Sequence, residues 1–277
     1  MKNYLYALIW GVSLTSSGVI HAANDFADSV IGYVQGGGGV SASYNNSSVA
    51  LGAPTTGVDG STPYSITYPA WKNSQIVGIG VGGQLTLGFS TPILNDPTGH
   101  VFGMDFIIFG NDFFANGSSG FTGASTHPGL TVWVSQDNVT YYQLHVPNGY
   151  GADDSFPAQG DGNPLLPVNP SLTLSAFVGL TQPQALSLYN GSAGGAPFSL
   201  SWAQDSGGNP INLTSVSYIQ IQGTSGFGYV DAVSRVQSVP EPSGALLLSA
   251  GMSLVFFRLR SRAKTSGCTD GSFALLA

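Results

Sequence analysis

Short runs rich in Val, Ile, Tyr and Phe recur along the middle of the chain, each closed by Gly, Pro, Asn, Asp or Ser. That punctuation is the pattern of an antiparallel β-sandwich or barrel. It places strands at Ser29–Gln35, Tyr64–Tyr68, Gln75–Val81, Gln84–Phe89 and Val101–Phe109. Further strands follow at Leu130–Ser135, Thr140–Val146, Phe198–Trp202, Val216–Gln222 and Tyr229–Val236. The clearest hairpin is Leu130–Val146, where Asp137-Asn138 supplies two residues that tolerate positive φ between two alternating runs. In its first strand Leu130, Val132 and Val134 share one face and Thr131, Trp133 and Ser135 the other.

The stretch from Pro147 to Pro197 is too long for a plain loop. Thr181-Gln182-Pro183-Gln184 forms a capping box, and Asn190-Gly191 can end what it starts, so Gln182–Tyr189 is expected as one short helix on the sandwich edge. Gly149–Asn163, rich in Gly and Asp, is expected as an exposed acidic loop. With 39 glycines and 16 prolines the chain does not suit a helical fold, and it contains no internal repeat.

Charge sharpens this picture. Between residues 24 and 238 the only bases are Lys72 and Arg235, against twelve aspartates and no glutamate. Phosphate binding needs basic patches, so nucleic acid is a poor partner. Divalent metal ions or neutral glycans suit such a surface better. The same span has no cysteine, so neither a disulfide nor a thiol contributes there. It is long enough for one sizeable core.

The two ends read as addresses. Residues 1–22 have Lys2, an apolar centre at Tyr4–Leu14 and a small Ala22 at the cleavage position, the order of a secretory signal peptide. An uncleaved N-terminal anchor is the alternative. Near the other end Val239, Pro240, Glu241 and Pro242 precede a charge-free run, Gly244–Phe257, and then Arg258, Arg260, Arg262 and Lys264. The run is shorter than the about 20 residues that a spanning helix needs, although flanking arginines extend its reach by snorkelling. The basic stop would stay cytoplasmic. A buried C-terminal helix is the competing account.

The order of these tail parts resembles the PEP-CTERM sorting signal of bacterial cell-surface proteins. That resemblance implies processing of residues 239–264 by an exosortase in the membrane, then passage to the cell surface or extracellular matrix. Thr265–Ala277, with the only cysteine, Cys268, extends past the usual end of the signal. The body carries pieces similar to surface β-sandwich proteins that bear such tails: Gly83–Phe89, Asp105–Asn111, Val134–Asn138, Leu188–Gly195 and Tyr229–Val233. The resemblance implies an all-β, jelly-roll-like sandwich over residues 24–238, similar to carbohydrate-binding modules, and confers no activity.

Motifs for chemistry are sparse. Gly78-Ile79-Gly80-Val81-Gly82-Gly83 matches G-x-G-x-x-G, but a strand pattern follows where a dinucleotide site needs a helix. Ser261-Arg262-Ala263-Lys264 lies in the basic tail, and one glutamate excludes H-E-x-x-H. His100, His127 and His145 would have to converge to hold zinc, and His145 is expected within a strand. Asp153-Asp154, in the expected exposed loop, would not be desolvated enough to serve as an acid–base pair. Asp105 sits inside an apolar strand and needs a partner. Asp105, Asn111, Asp112 and Asp231 are the candidate ligands of one Ca²⁺; alternatively, Asp105 and Asp231 accept backbone hydrogen bonds while Asn111-Asp112 makes a turn. Trp133 is the candidate glycan platform, because its neighbours on the same face, Thr131 and Ser135, are polar.

The sequence therefore leads to an exported, surface-sorted, non-catalytic protein that associates with exopolysaccharide. The alternatives are a purely structural surface protein crosslinked through Ca²⁺ and a polysaccharide hydrolase using an aspartate pair.

Overall fold

A computed structural model describes residues 25–57 and 62–239. The leader, Pro240–Pro242 of the sorting motif, the apolar run and its basic stop lie outside the described residues. Thirteen strands and one α-helix are present among those described. They run β1 (Ser29–Val34), β2 (Val77–Ile79), β3 (Gln84–Leu94), β4 (Phe106–Phe109), β5 (Phe113–Gly117) and β6 (Gly120–Ser125). Then come β7 (Leu130–Ser135), β8 (Tyr142–Leu144), α1 (Gln182–Tyr189), β9 (Ala196–Phe198) and β10 (Ala203–Gln204). The chain closes with β11 (Ser215–Gly223), β12 (Gly228–Val230) and β13 (Ala232–Arg235).

The large sheet has six antiparallel strands in the order β1-β3-β11-β7-β8-β10. Its register follows from the alternation of apolar side chains. Leu85 and Leu87 of β3, Ile219 and Ile221 of β11, and Val132 and Val134 of β7 pair across the sheet and all point inward. A one-residue slip would turn this whole set outward, so burial of one face fixes the pairing.

Opposite lies a three-stranded sheet, β13-β4-β9, with β2 and β12 paired beside it. Phe106, Ile108, Phe198 and Val233 meet the large sheet's inner face in one core, and Phe106 stacks on Phe198 with centroids 5.2 Å apart. Each such side chain contributes roughly 1.5–3 kcal/mol through burial. β4 is buried on both faces, because Ile107 and Phe109 pack into a second cluster with Met104, Ala232 and Val236. A continuous apolar run, Phe-Ile-Ile-Phe, is what such a doubly covered strand requires.

A third cluster sits beneath α1 and the β5–β6 hairpin, where Phe114, Phe121, Phe156, Phe177 and Tyr189 pack together. The helix has the expected bounds. Gln184 accepts hydrogen bonds from the Thr181 N–H (2.8 Å) and hydroxyl (2.9 Å), and Asn190 ends it at φ 50°.

The architecture is all-β with face-to-face sheets, and no sheet closes into a barrel among the described residues. Several expectations change in detail. Tyr64–Tyr68 forms only an isolated bridge, Ser65 to Tyr68, and Val101–Gly103 is a 3₁₀ turn with Phe102 at φ 57°, so β4 starts late. Trp202 lies in a 3₁₀ turn rather than a strand, and Tyr229–Val236 breaks at Asp231 into β12 and β13. The glycine motif at 78–83 spans the β2–β3 junction. A Cβ on Gly80 would stand 1.7 Å from the Gly37 carbonyl oxygen, so backbone contact accounts for that glycine. No helix of the described residues is long and apolar enough to cross a membrane.

Candidate functional site: an aromatic cleft and a buried aspartate–histidine centre

The face of the large sheet turned away from the core carries a row of polar side chains, of which Thr86 and Gln220 are buried. Thr86 of β3, Gln220 of β11, Trp133 of β7 and Gln143 of β8 stand in one row across four strands, because each is the register partner of the next. Side-chain hydrogen bonds tie the row to its neighbours: Gln220 Nε2 donates to Thr86 Oγ1 (3.1 Å), and Gln84 Nε2 donates to the same oxygen (3.3 Å). Trp133 is half-buried, with its indole N–H donating to Thr131 Oγ1 (3.2 Å). One edge of the ring is thereby fixed while the residue borders solvent.

Trp133 opens onto a cleft of about 680 Å³ that Tyr141, Gln143, His145, Gln204 and Asp205 also line. Tyr141 is anchored by its hydroxyl, which donates to Asn138 Oδ1 (2.6 Å) across the β7–β8 turn. Asp205 is clamped by Asn209 and by the Gly207 N–H, which hold its carboxyl below the usual value. Flat aromatic surface ringed by amide, imidazole and carboxylate groups is the composition that packs on sugar rings and bonds their hydroxyls. The other platforms lie elsewhere: Trp71 is exposed beside Lys72, and Trp202 packs against the cores.

The second arrangement was not legible in the sequence. Asp112 follows β4, His127 follows β6, and Asp153 comes from the segment expected to be an exposed loop. That expectation is overturned. Asp153 is only 1% exposed, and Ala152, Ser155 and Phe156 beside it are buried too. Asp153 is drawn inside because Oδ1 accepts the Asn111 N–H (2.7 Å) and Oδ2 the Tyr229 N–H (2.8 Å), joining the ends of two sheets. Gly110 makes room: a Cβ there would lie 1.9 Å from Asp153 Oδ1.

His127 Nδ1 lies 3.0 Å from Asp153 Oδ2 and 3.6 Å from Asp112 Oδ1. The first contact is out of line for a hydrogen bond and the second is too long for one, so Nδ1 and Asp112 Oδ1 are both buried without a hydrogen-bond partner. The other Asp112 oxygen accepts the Ser155 N–H (2.9 Å). Phe227 and Tyr229 wall the imidazole, with ring centroids 5.3 and 5.4 Å away. Burial, and then the charge of Asp153, push the Asp112 carboxyl well above its usual range. Burial alone would lower His127, but the two carboxylates hold it up at about 10. Ligand atoms of the three side chains lie within 4.8 Å of one another, so the group could hold a metal ion.

The four residues expected to share one Ca²⁺ do not meet. Asp105 and Asp231 flank β4 and β13 at opposite ends of that ladder, about 13 Å or more apart at strand spacing. Asp105 Oδ1 lies 2.8 Å from His100 Nδ1, while Oδ2 accepts the Leu200 N–H (2.7 Å). Asp231 accepts the Thr55 N–H (2.8 Å) and hydroxyl (2.7 Å). Asn111 donates its side-chain amide to the Ala70 carbonyl. Of the four, only Asp112 belongs to the cluster. The three histidines do not converge either: His100 pairs with Asp105, and His145 is exposed just beyond β8. Set against known proteins, the chain matches no family model and no curated protein.

Proposed function

We propose that this is an exported, non-catalytic cell-surface or matrix protein whose jelly-roll-like body associates with exopolysaccharide through the cleft at Trp133. The observation that carries the reading is the row Thr86–Gln220–Trp133–Gln143, which sets one aromatic ring in a polar sheet face beside an open cleft. Export and sorting rest on the sequence of the two ends: a leader over 1–22 and a PEP-CTERM-like tail. The tail would be held in the membrane by its apolar run until an exosortase processes it. Catalysis is disfavoured at the buried centre, because Asp153 is sealed from solvent and both its oxygens already accept backbone N–H groups.

The test is co-sedimentation of the purified protein with the exopolysaccharide of its source, with and without EDTA. Trp133→Ala should weaken retention about tenfold, the cost of losing a central aromatic anchor, while the unfolding midpoint barely moves. Retention unchanged in that variant would remove the cleft from the account.

A second reading, a structural protein crosslinked through Ca²⁺, draws on three surface turns. There Asp96, Asp137 and Asp205 are held below the usual carboxylate range by hydrogen bonds from their own loops, and so stay charged in acid. Retention lost in EDTA and restored by Ca²⁺, with Trp133→Ala behaving as wild type, would favour it.

A further inference from the structure

Three segments distant in sequence converge on a point lined by Asp112, His127 and Asp153. We infer that this centre binds one divalent transition-metal ion of the Zn²⁺ type, which ties the loops at one end of the sandwich together. The inference is independent of the glycan reading, since the cleft at Trp133 shares no lining residue with it.

The unpartnered atoms come first. Asp112 is 5% exposed, yet its Oδ1 receives no hydrogen bond, and His127 Nδ1 beside it is likewise without one. Buried polar atoms are normally satisfied, and two orphans facing each other call for something between them. Spacing agrees. A four-coordinate ion with bonds of about 2.0–2.1 Å to nitrogen and oxygen separates its ligands by about 3.3 Å. The distances from Nδ1 to the two carboxylate oxygens, 3.0 and 3.6 Å, straddle that value.

Donor chemistry selects the class of ion. Asp112 Oδ2 and both Asp153 oxygens accept backbone N–H groups, but Asp153 Oδ2 lies 3.0 Å from His127 Nδ1 and keeps a second lone pair, so one nitrogen and two oxygens face the centre. Ca²⁺ takes six to eight oxygens, whereas imidazole with carboxylate suits Zn²⁺ and its neighbours. The N–H groups of Ser155, Asn111 and Tyr229 serve as the outer layer that orients the carboxylates. His127, with a side chain 17% exposed, is the side from which an ion and a completing water would enter.

The full chain, purified without a histidine tag and stripped with EDTA, is dialysed against Zn²⁺ or Ca²⁺; metal content and thermal unfolding are then measured. One Zn²⁺ per chain is expected, with a midpoint raised by about 5–10 °C at a hundredfold excess over Kd. Ca²⁺ at the same concentration should give neither. Asp112→Asn and His127→Ala should lose both the bound ion and the shift. Asp112→Asn keeps the size of the side chain and should still unfold cooperatively in EDTA near the wild-type midpoint, so lost uptake is not lost folding. Wild-type protein that takes up no stoichiometric Zn²⁺, Asp112→Asn that takes up as much as wild type, or a response to Ca²⁺ alone would each overturn the inference.

Discussion

β4 carries an aspartate–histidine group at each end, and the two are completed in different ways. At the leading end Asp105 is fully buried against a single imidazole, His100, and its oxygens also meet the Asp96 and Leu200 N–H groups. No fully buried side-chain oxygen or nitrogen of Asp105 or His100 is left without a partner. At the trailing end two carboxylates share one imidazole, and two of the facing atoms bond to nothing. The same residue types thus make a finished internal brace in one place and an arrangement short of positive charge in the other. Stoichiometry separates them: one acid to one imidazole closes, whereas with two acids to one the second, Asp112, is pushed toward its protonated form by burial and by Asp153.

The sharpest way to break this contrast is Asp105→Ala. Four donors, three of them on the buried residues His100, Ser199 and Leu200, would lose their acceptor, so the substitution should cost about 3–5 kcal/mol in urea unfolding, whether or not Zn²⁺ is added. A loss below about 1 kcal/mol would mean that the leading end is no brace.

A fourth buried acid extends the comparison to an aspartate with no cation beside it. Burial lifts Asp231 to about 7, above its ordinary 3.8, against the opposing hydrogen bonds from Thr55. Below about pH 4 it is neutral in both folded and unfolded chains. As pH climbs from about 4 to 7 the unfolded chain releases this proton and the folded one retains it, so stability falls, by about 4 kcal/mol in total. Urea midpoints across that range should show the decline, and Asp231→Asn should flatten it. An equal slope in the variant would assign the decline to other groups. The smallest effect expected is Asp112→Asn without metal, under about 1 kcal/mol, because lost carboxylate repulsion offsets the weakened hydrogen bond from Ser155. A cost like that of Asp105→Ala would make the two ends alike.

Much of the scaffold was legible in the sequence, because it follows from local rules. The alternation of Leu130–Ser135 gives both the core face and the outward Trp133, and the capping box at Thr181 gives the helix with its bounds. What escaped depends on distant partners. The β5–β6 hairpin is built from Phe113–Gly117 and Gly120–Ser125, whose small and polar residues show no alternation; Phe114 and Phe121 find their core only beneath α1. Asp153 lies in a Gly- and Asp-rich stretch that resembles a solvated loop, and its burial is dictated by the N–H groups of Asn111 and Tyr229, far away in sequence. Pairing His127 with Asp112 and Asp153 required the fold. The one signal nearby was a lone histidine before Pro128, which is too weak to act on.

The seam at β13 also has a mechanical consequence. Phe26 bridges Ser234, Asp25 forms an ion pair with Arg235 (2.7 Å), and Val239 donates to the Gly99 carbonyl (2.6 Å). Both ends of the described body therefore leave from one edge strand. A load applied between them would peel the seam in turn, first the Asp25–Arg235 pair, then the Phe26–Ser234 bridge, then the hydrogen bond from Ala27 to Val233. A load applied between the tail and the Trp133 face takes another route: it crosses the core and must slide β13 along β4, straining all four residue pairs of that ladder together. The same body is soft when stretched end to end and stiff when it is held by its sheet face and pulled by its tail.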